Sequence, residues 1–421
     1  MESFKYLIIG GGIAGTTAAE TIRKNDTEGS IAIVSDEPYL LYSRVLLSKP
    51  AFVRGEQSME SVWLKKPEWY EQNKIVFIGG VSATSLNSTE KKIATSHEKE
   101  IGYEKLLLAI GAHARTWTIP GSDKKGIYYL RGLDDTKAII EAVKTKKRAV
   151  LIGSGFVSFE MADILRSLGI ETTLVMREKY FSEPMLSEKE GKMIEKKIEE
   201  SGVKILRSEE VSEVLGDQEA TGVILKDGTK LDCDMILCMI GVVFPTEWLK
   251  SSGIALGRGI VANEYLETSI PDVWTAGDIA EYNDLVLKEI FLCGNWMNSR
   301  AQGEIAGLGI AGKRTEYKMV TFQTSHGFGD VIGFIGDMRM TPERKEIYRE
   351  DITRNSLTRL IIRGENVIGA TLVNRLQEMG AIAKLIKERT DISDKTEDLA
   401  KADFDMKTLF PPRDGNYTIF N

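Results

Sequence analysis

Cysteine and histidine are scarce in this chain of 421 residues, with three of each. The cysteines are Cys233, Cys238 and Cys293. No Cys-x-x-Cys occurs, and no cysteine pair stands beside the glycine-rich segment near the N-terminus. His97, His113 and His326 complete too small a set to assemble a ligand cluster for zinc or an iron–sulfur centre, so no metal site is expected. A chain so equipped needs an organic cofactor if it is to handle electrons. Positive charge is not in excess either. The net charge is −7 and the sequence pI is about 5.4, which argues against bulk attraction to nucleic acid or to an anionic membrane. No apolar run approaches the roughly 20 residues of a membrane helix. The first apolar segment, Phe4 to Ile9, is too short and too quickly followed by glycines to read as a signal peptide, so the cytoplasm is the expected location.

What is present is ordinary for a globular protein: 42% hydrophobic and 28% charged residues. The length exceeds what one core fills and predicts two or three domains. Residues 231–240 read as one buried strand. Odd spacing would point Cys233 and Cys238 to opposite faces, where both serve as small apolar residues.

Two segments carry a stronger signal. Residues 4–9 form a short apolar strand, followed by Gly10-Gly11-Gly12-Ile13-Ala14-Gly15, a helical stretch over 16–24, and a strand over 30–34 that ends at Asp36 and Glu37. A Gly-x-Gly-x-x-Gly between strand and helix, with an acid about 20 residues on, is the context that gives the motif meaning. Gly10 permits the tight turn, Gly12 lets backbone approach a pyrophosphate, and Gly15 lets helix and strand pack closely. The helix N-terminus offers free N–H groups and a positive dipole to phosphates. Asp36 can accept hydrogen bonds from ribose hydroxyls. The pattern recurs: strand 148–152, then Gly153-Ser154-Gly155-Phe156-Val157-Ser158, a helix over 159–168 closed by Gly169, and strand 171–176. Ser158 takes the place of the third glycine and is small enough for close packing. Two such units predict two dinucleotides, one for each.

On these residues the chain resembles the two-dinucleotide-binding-domain flavoproteins of the pyridine nucleotide–disulfide oxidoreductase superfamily. It is most similar to the branch of rubredoxin and ferredoxin reductases, with apoptosis-inducing factor and the flavin parts of nitrite reductases nearby. The resemblance runs from residue 4 to about 312 and continues loosely to about 390. Pro38 to Lys49 is similar to the branch's P-Y-x-R-P-x-L-S-K segment, with Val45 where the branch has proline. Leu106 to Ala112 resembles L-L-L-A-T-G-A, with Ile110 in place of threonine. Gly241 to Thr246 resembles the G-V-x-P-N return segment, and Gly259 to Ala280, ending in Thr275-Ala276-Gly277-Asp278, resembles the second FAD fingerprint.

The resemblance implies an α/β fold with two Rossmann-like domains of parallel sheets, the second inserted in the first, and a C-terminal α+β domain. The FAD-binding domain would be 1–113 with 246–317, the NAD(P)H-binding domain 114–245, and the C-terminal domain 318–421. FAD would contact Gly10, Gly12, Ile13, Ala14, Gly15, Asp36, Glu37, Arg44, Lys49, Val81, Ala109, Gly111, Gly277, Asp278 and Trp296. Asp278 would hold the ribityl chain, and Arg44 and Lys49 would reach the cofactor, Lys49 near its reactive edge. NAD(P)H would contact Gly153, Gly155, Phe156, Val157, Glu160, Met176, Arg177 and Gly241. Lys49 and Glu160 would pair as the catalytic charges. Read from residues alone, Trp296 serves equally as a core side chain. The second strand ends in Met176-Arg177-Glu178-Lys179, which leaves NADH and NADPH both open: Arg177 or Lys179 could meet a 2′-phosphate, and Glu178 could be a displaced ribose acid.

The implied activity is that of an FAD-dependent NAD(P)H oxidoreductase. Hydride passes to flavin N5, and electrons pass to or from an iron–sulfur protein such as ferredoxin or rubredoxin, the chain acting alone or as the NADH-reactive subunit of a larger complex. Positive potential at the flavin is expected from Lys49 and from the N-terminus of a helix over 295–311. Tyr42-Ser43-Arg44 occupies the place where disulfide reductases keep redox cysteines, so thiol chemistry is not expected. A cysteine-independent oxidase or quinone reductase, and a flavin redox sensor or assembly subunit, are the alternatives. In the C-terminal part, 357–362 and 367–373 read as a hairpin and 376–387 as an amphipathic helix. His326 falls where relatives bring a side chain towards the flavin. The C-terminal part is expected to form a homodimer or cover the flavin. The tail from about 391, with Pro411-Pro412, could dock on a partner subunit or hang loosely.

Overall fold

The computed structural model describes residues 2–410; Pro411 and Pro412 lie outside them. The chain divides into two compact units. The first comprises residues up to Leu46, Ser58–His113 and Val242–Thr321; the second comprises Leu47–Gln57, Ala114–Gly241 and the described residues from Phe322 on. Three helices carry residues expected at the site: α1 (Ile13–Asn25), α2 (Phe156–Ser167) and α3 (Trp296–Ile310).

In the first unit, Glu2–Ile9 lies between Ile31–Ser35 and Glu100–Leu108, parallel to both, and Ile75–Gly79 extends the parallel set. Val273–Thr275 also joins Glu100–Leu108 in parallel, bringing a segment from late in the chain into the sheet. Leu7 and Ile8 are fully buried, as an unbroken apolar run in a parallel sheet requires. Antiparallel strands Ala83–Asn87 and Lys92–Thr95 complete the sheet. The contact of α1 with α3 depends on small residues. A Cβ on Gly303 would stand 2.2 Å from the Ala14 carbonyl oxygen, and one on Gly307 would stand 2.9 Å from that of Ala18. Helices that close cannot accommodate larger side chains without displacement.

The second unit has a five-stranded parallel sheet in the order Lys204–Arg207, Glu171–Met176, Arg148–Ile152, Met235–Cys238, Ile127–Tyr128. The expected single strand over 231–240 is corrected: Lys230–Asp232 belongs to a separate antiparallel sheet, and Met235–Cys238 to the parallel one. Cys233 lies between them, so strand alternation does not govern the two cysteines. Both are nevertheless buried, and burial pushes each thiol up to about 12. The helices after the glycine turns start earlier than expected, because Gly12 and Gly155 are themselves the caps.

The C-terminal part forms an antiparallel sheet whose hairpin, Ser356–Arg363 and Asn366–Val373, falls on the expected residues. The expected helix over 376–387 is a short 3-10 turn, Leu376–Glu378, leading into Met379–Glu388. Phe334, Leu357 and Val373 of this part share one core with Leu151, Phe159 and Leu174, which is why it joins the second unit rather than standing apart. The tail is held from within. The buried Arg349 guanidinium donates to the carbonyls of Leu399 (2.6 Å) and Phe404 (2.8 Å), and Arg375 donates to that of Ala402 (2.6 Å). Both arginines also pair with Glu378. Among the described residues no helix is long and apolar enough to cross a membrane.

Candidate functional site

Each unit carries one glycine turn at the head of a helix. In the first unit, Gly10 has φ +114°, and a Cβ there would stand 2.1 Å from the Ala109 carbonyl oxygen. A Cβ on Gly15 would stand 2.0 Å from the Gly10 carbonyl oxygen and 3.0 Å from Ile8 Cγ2, so the helix is drawn against the strand. Gly12 is different, with nothing within 4 Å of its would-be Cβ. It caps α1 without a side chain, and no acidic residue stands in the first turn. Ile13 and Ala14 belong to that turn. The result is an open, positively polarised helix end from which a side chain is excluded, which suits a pyrophosphate.

The neighbouring expected residues stay in this unit. Asp36 Oδ2 meets His113 Nε2 at 3.2 Å, and that hydrogen bond holds the Asp36 carboxyl below the usual range. Glu37 accepts from Tyr42 Oη (2.9 Å) and from Arg44 Nη2 (2.5 Å). The Val81 amide donates to the Ser35 carbonyl (2.9 Å), and Gly111 has φ +61°. Gly277 has φ +90°, and its amide donates to Gln302 Oε1 (2.7 Å). Asp278 Oδ1 accepts from Ser299 Oγ (3.0 Å). Trp296 is the first residue of α3, half-buried, after the capping Asn295, whose side chain accepts from the Asn298 amide (2.8 Å). Ser299 and Gln302 were not expected from sequence. Their signal was a three-residue step on a helix whose next turn carries Gly303.

The second unit repeats the turn. Gly153 has φ +99° with the Met239 carbonyl oxygen 2.5 Å from its would-be Cβ, and Gly155 caps α2 with nothing within 4 Å. Ser158 is fully buried, as its small size allows, and its hydroxyl has no partner. Phe156 opens α2 with its ring 4.3 Å from that of Phe334, and Val157 beside it is exposed. Gly241 has φ +93° and its carbonyl accepts from the Arg115 amide (2.9 Å). At the end of the second strand Met176 is buried. The Arg177 side chain is 77% exposed, and that of Glu178 only 18%. Glu178 Oε2 accepts from Ser154 Oγ (3.1 Å) and Oε1 from Arg177 Nε (3.0 Å), which ties the acid to the glycine turn.

One turn into α2 stands Glu160, 4% exposed. Lys49, the cap of the short helix Pro50–Val53, reaches its Oε1 at 2.5 Å, so the expected pair forms. Two further donors were not expected: Ser48 Oγ on Oε2, and Ser325 Oγ on Oε1 at 3.2 Å. Ser325 lies on strand Phe322–Gly327, and alternation leaves the next residue, His326, exposed on the other face. The C-terminal contact with this cluster is therefore made by Ser325, where His326 was the residue singled out from sequence.

Two helix ends of this geometry, one per unit and each capped by a glycine with open space around it, have the form of dinucleotide-binding turns. The chain belongs to the pyridine nucleotide-disulphide oxidoreductase family, whose profile matches residues 4–303. The cofactors that go with this family are FAD and NAD(P)H, and both glycine turns fit a dinucleotide. The chain is 28% identical over 400 residues to nitrite reductase [NAD(P)H] of Bacillus subtilis, covering 94% of this chain and 49% of that protein. It thus spans about half the length of that relative. The biphenyl dioxygenase system ferredoxin–NAD(+) reductase component of Paraburkholderia xenovorans is 28% identical over 386 residues, covering 92% of this chain and 94% of that one. Among solved structures, a ferredoxin reductase from Rhodopseudomonas palustris superposes with a TM-score of 0.89 at 24% identity, over 97% of this chain and 99% of the other. That last likeness is one of fold.

Proposed function

We propose that the chain is an FAD-dependent NAD(P)H:acceptor oxidoreductase that exchanges electrons with an iron–sulfur protein of the ferredoxin or rubredoxin kind. The observation that carries this reading is the pair of open helix ends, capped by Gly12 and Gly155 without a side chain. The first unit would hold FAD through Gly10 to Gly15, Asp36, Glu37, Arg44 and Asp278, and the second would receive the nicotinamide dinucleotide through Gly153 to Val157. Bound FAD supplies a two-electron acceptor that can release electrons singly, which suits an iron–sulfur partner. The chain's own residues have the simpler tasks of binding, orienting and placing charge. Lys49, paired with Glu160, is the cation assigned to the hydride step.

Between the two nicotinamide nucleotides, Glu178 supports NADH. A carboxylate held by Ser154 at the head of the glycine turn can accept from ribose hydroxyls, whereas a 2′-phosphate would bring about two negative charges against it. The ferredoxin–NAD(+) reductase component among the relatives supports the choice of acceptor. Membership in a larger complex, a homodimer through the C-terminal sheet and a cytoplasmic location belong to the same proposal. Anaerobic titration of the flavin-loaded protein with NADH and then NADPH, followed at the flavin absorbance band, tests it. Bleaching followed by fast reoxidation with a ferredoxin or rubredoxin is expected. Flavin that neither nucleotide bleaches would refute the reading.

A further inference from the structure

The Glu160 carboxylate has more donors than an ion pair needs. Lys49 Nζ and Ser325 Oγ share Oε1 at 2.5 and 3.2 Å, and Ser48 Oγ takes Oε2. The donors come from two separate segments: Ser48 and Lys49 from the residues before helix Pro50–Val53, and Ser325 from strand Phe322–Gly327. Ser325 is 2% exposed, and its single hydroxyl proton has two acceptors in reach, Glu160 Oε1 at 3.2 Å and the Phe156 carbonyl oxygen at 3.4 Å, the carboxylate being the nearer and the charged one. Lys49 is the charged group paired with Glu160, and its side chain is 28% exposed, against 2% for Ser325.

A buried carboxylate that loses its cation is strongly unfavourable unless other donors remain. An ammonium on a flexible four-carbon stem, at the edge of solvent, is the donor most able to leave. We infer that Ser48 and Ser325 are positioning residues that keep Glu160 fixed and satisfied as a carboxylate while Lys49 leaves it for the negative charge that arrives with the hydride. This rests on the oxidoreductase reading above. In this arrangement the two hydroxyls convert a locked ion pair into a releasable one: the carboxylate stays in place and the cation moves. A pair held by Lys49 alone would resist the same motion, because every departure would strand the acid.

The first test is independent of turnover. Infrared spectra at neutral pH are recorded on the flavin-loaded Lys49→Ala protein and on the Lys49→Ala/Ser48→Ala/Ser325→Ala protein. Lys49→Ala is expected to show no protonated-carboxyl band from Glu160, because the two hydroxyls suffice. The triple variant is expected to gain that band, assigned by its loss when Glu160→Gln is added, since removing donors to the charged form favours the neutral one. A band already present in Lys49→Ala, or none in the triple variant, overturns the inference. The second test is a rate. Ser325→Ala should slow anaerobic flavin reduction about three- to tenfold with nucleotide affinity within about twofold, and the loss should vanish in the Lys49→Ala background, as coupled residues require. Ser325→Thr should restore the rate. A rate unchanged in Ser325→Ala, or an equal loss with Lys49 absent, also overturns it. If no nucleotide reduces the wild-type flavin, the oxidoreductase reading fails, and the infrared result alone then decides the role of the serines.

Discussion

The two glycine turns are close copies in backbone and differ in what surrounds them. At the first, the third glycine is kept, and α1 is pressed against the strand beneath it and against α3 on its other side. At the second, Ser158 replaces that glycine and fits, its hydroxyl left without a partner. The first turn is followed by two acids that are already engaged, Asp36 with His113 and Glu37 with Arg44 and Tyr42. The second is followed by a single acid, Glu178, held by the turn itself. On the proposed reading the same local geometry would serve two purposes. One is built into a tightly packed frame, suited to a cofactor that stays. The other has an open cap at Gly155 with the Lys49–Glu160 pair one turn on, and would receive a nucleotide that comes and goes.

The comparison breaks most visibly at the pinned glycines. Gly10→Ala combines positive φ with backbone contact and should cost about 3 kcal/mol or more, read as lost flavin and a lower unfolding temperature. Gly153→Ala should instead spare flavin content and abolish reduction by nucleotide. Loss of flavin in both would show that the two turns are not separable. The open glycines sharpen the contrast. Gly155→Val should cost only about 1 kcal/mol of stability, the loss of a good cap residue, while weakening nucleotide binding at least about tenfold. Unchanged affinity would remove that helix end from the site. Next in size, Glu178→Gln should reduce the NADH over NADPH preference in kcat/KM by about tenfold, and an unmoved ratio would clear Glu178 of that role. Cys233→Ala with Cys238→Ala should leave turnover unchanged. With both thiols pushed up to about 12 by burial, neither forms thiolate in the neutral range, so thiol reagents should reach these two only in unfolded protein. Rapid native labelling of either would contradict the burial. The smallest effect concerns Asp36. Its folded pKa is depressed, chiefly by the His113 hydrogen bond, so the stabilisation is present above the unfolded carboxylate value and is lost as pH falls through the folded one. His113→Ala should move the acid unfolding midpoint slightly upward, and a midpoint that moves down would reverse the sign.

Much of this was legible in the sequence because the turns are local. Positive φ at Gly10 and Gly153, the parallel strands before them and the helices after them all follow from residues within about thirty positions. The Lys49–Glu160 pair spans 111 positions and could be expected only through family resemblance. Ser325 could not, since nothing local distinguishes it from His326 beside it until strand alternation is fixed by the pairing of Ser325 with Ile332 and His326 with Val331. The single strand drawn over 231–240 failed for a related reason. Its apolar residues are interrupted only by Asp232 and Asp234, and the two sheets competing for its halves place the break at Cys233 and Asp234. The C-terminal part was expected as a domain of its own from the family resemblance; its strands pair among themselves, and its core residues are shared with those around α2.

The clasp on the tail means that the segment from Leu399 to Phe404 works as a plug. Cutting the chain ahead of Leu399 would take away three carbonyl acceptors and leave two guanidinium groups competing in the dark for the single carboxylate of Glu378. Anything fused beyond Phe410 thus hangs from a segment whose anchorage reaches the interior of the second unit, and trimming that segment for convenience would unsettle the interior before it altered the surface.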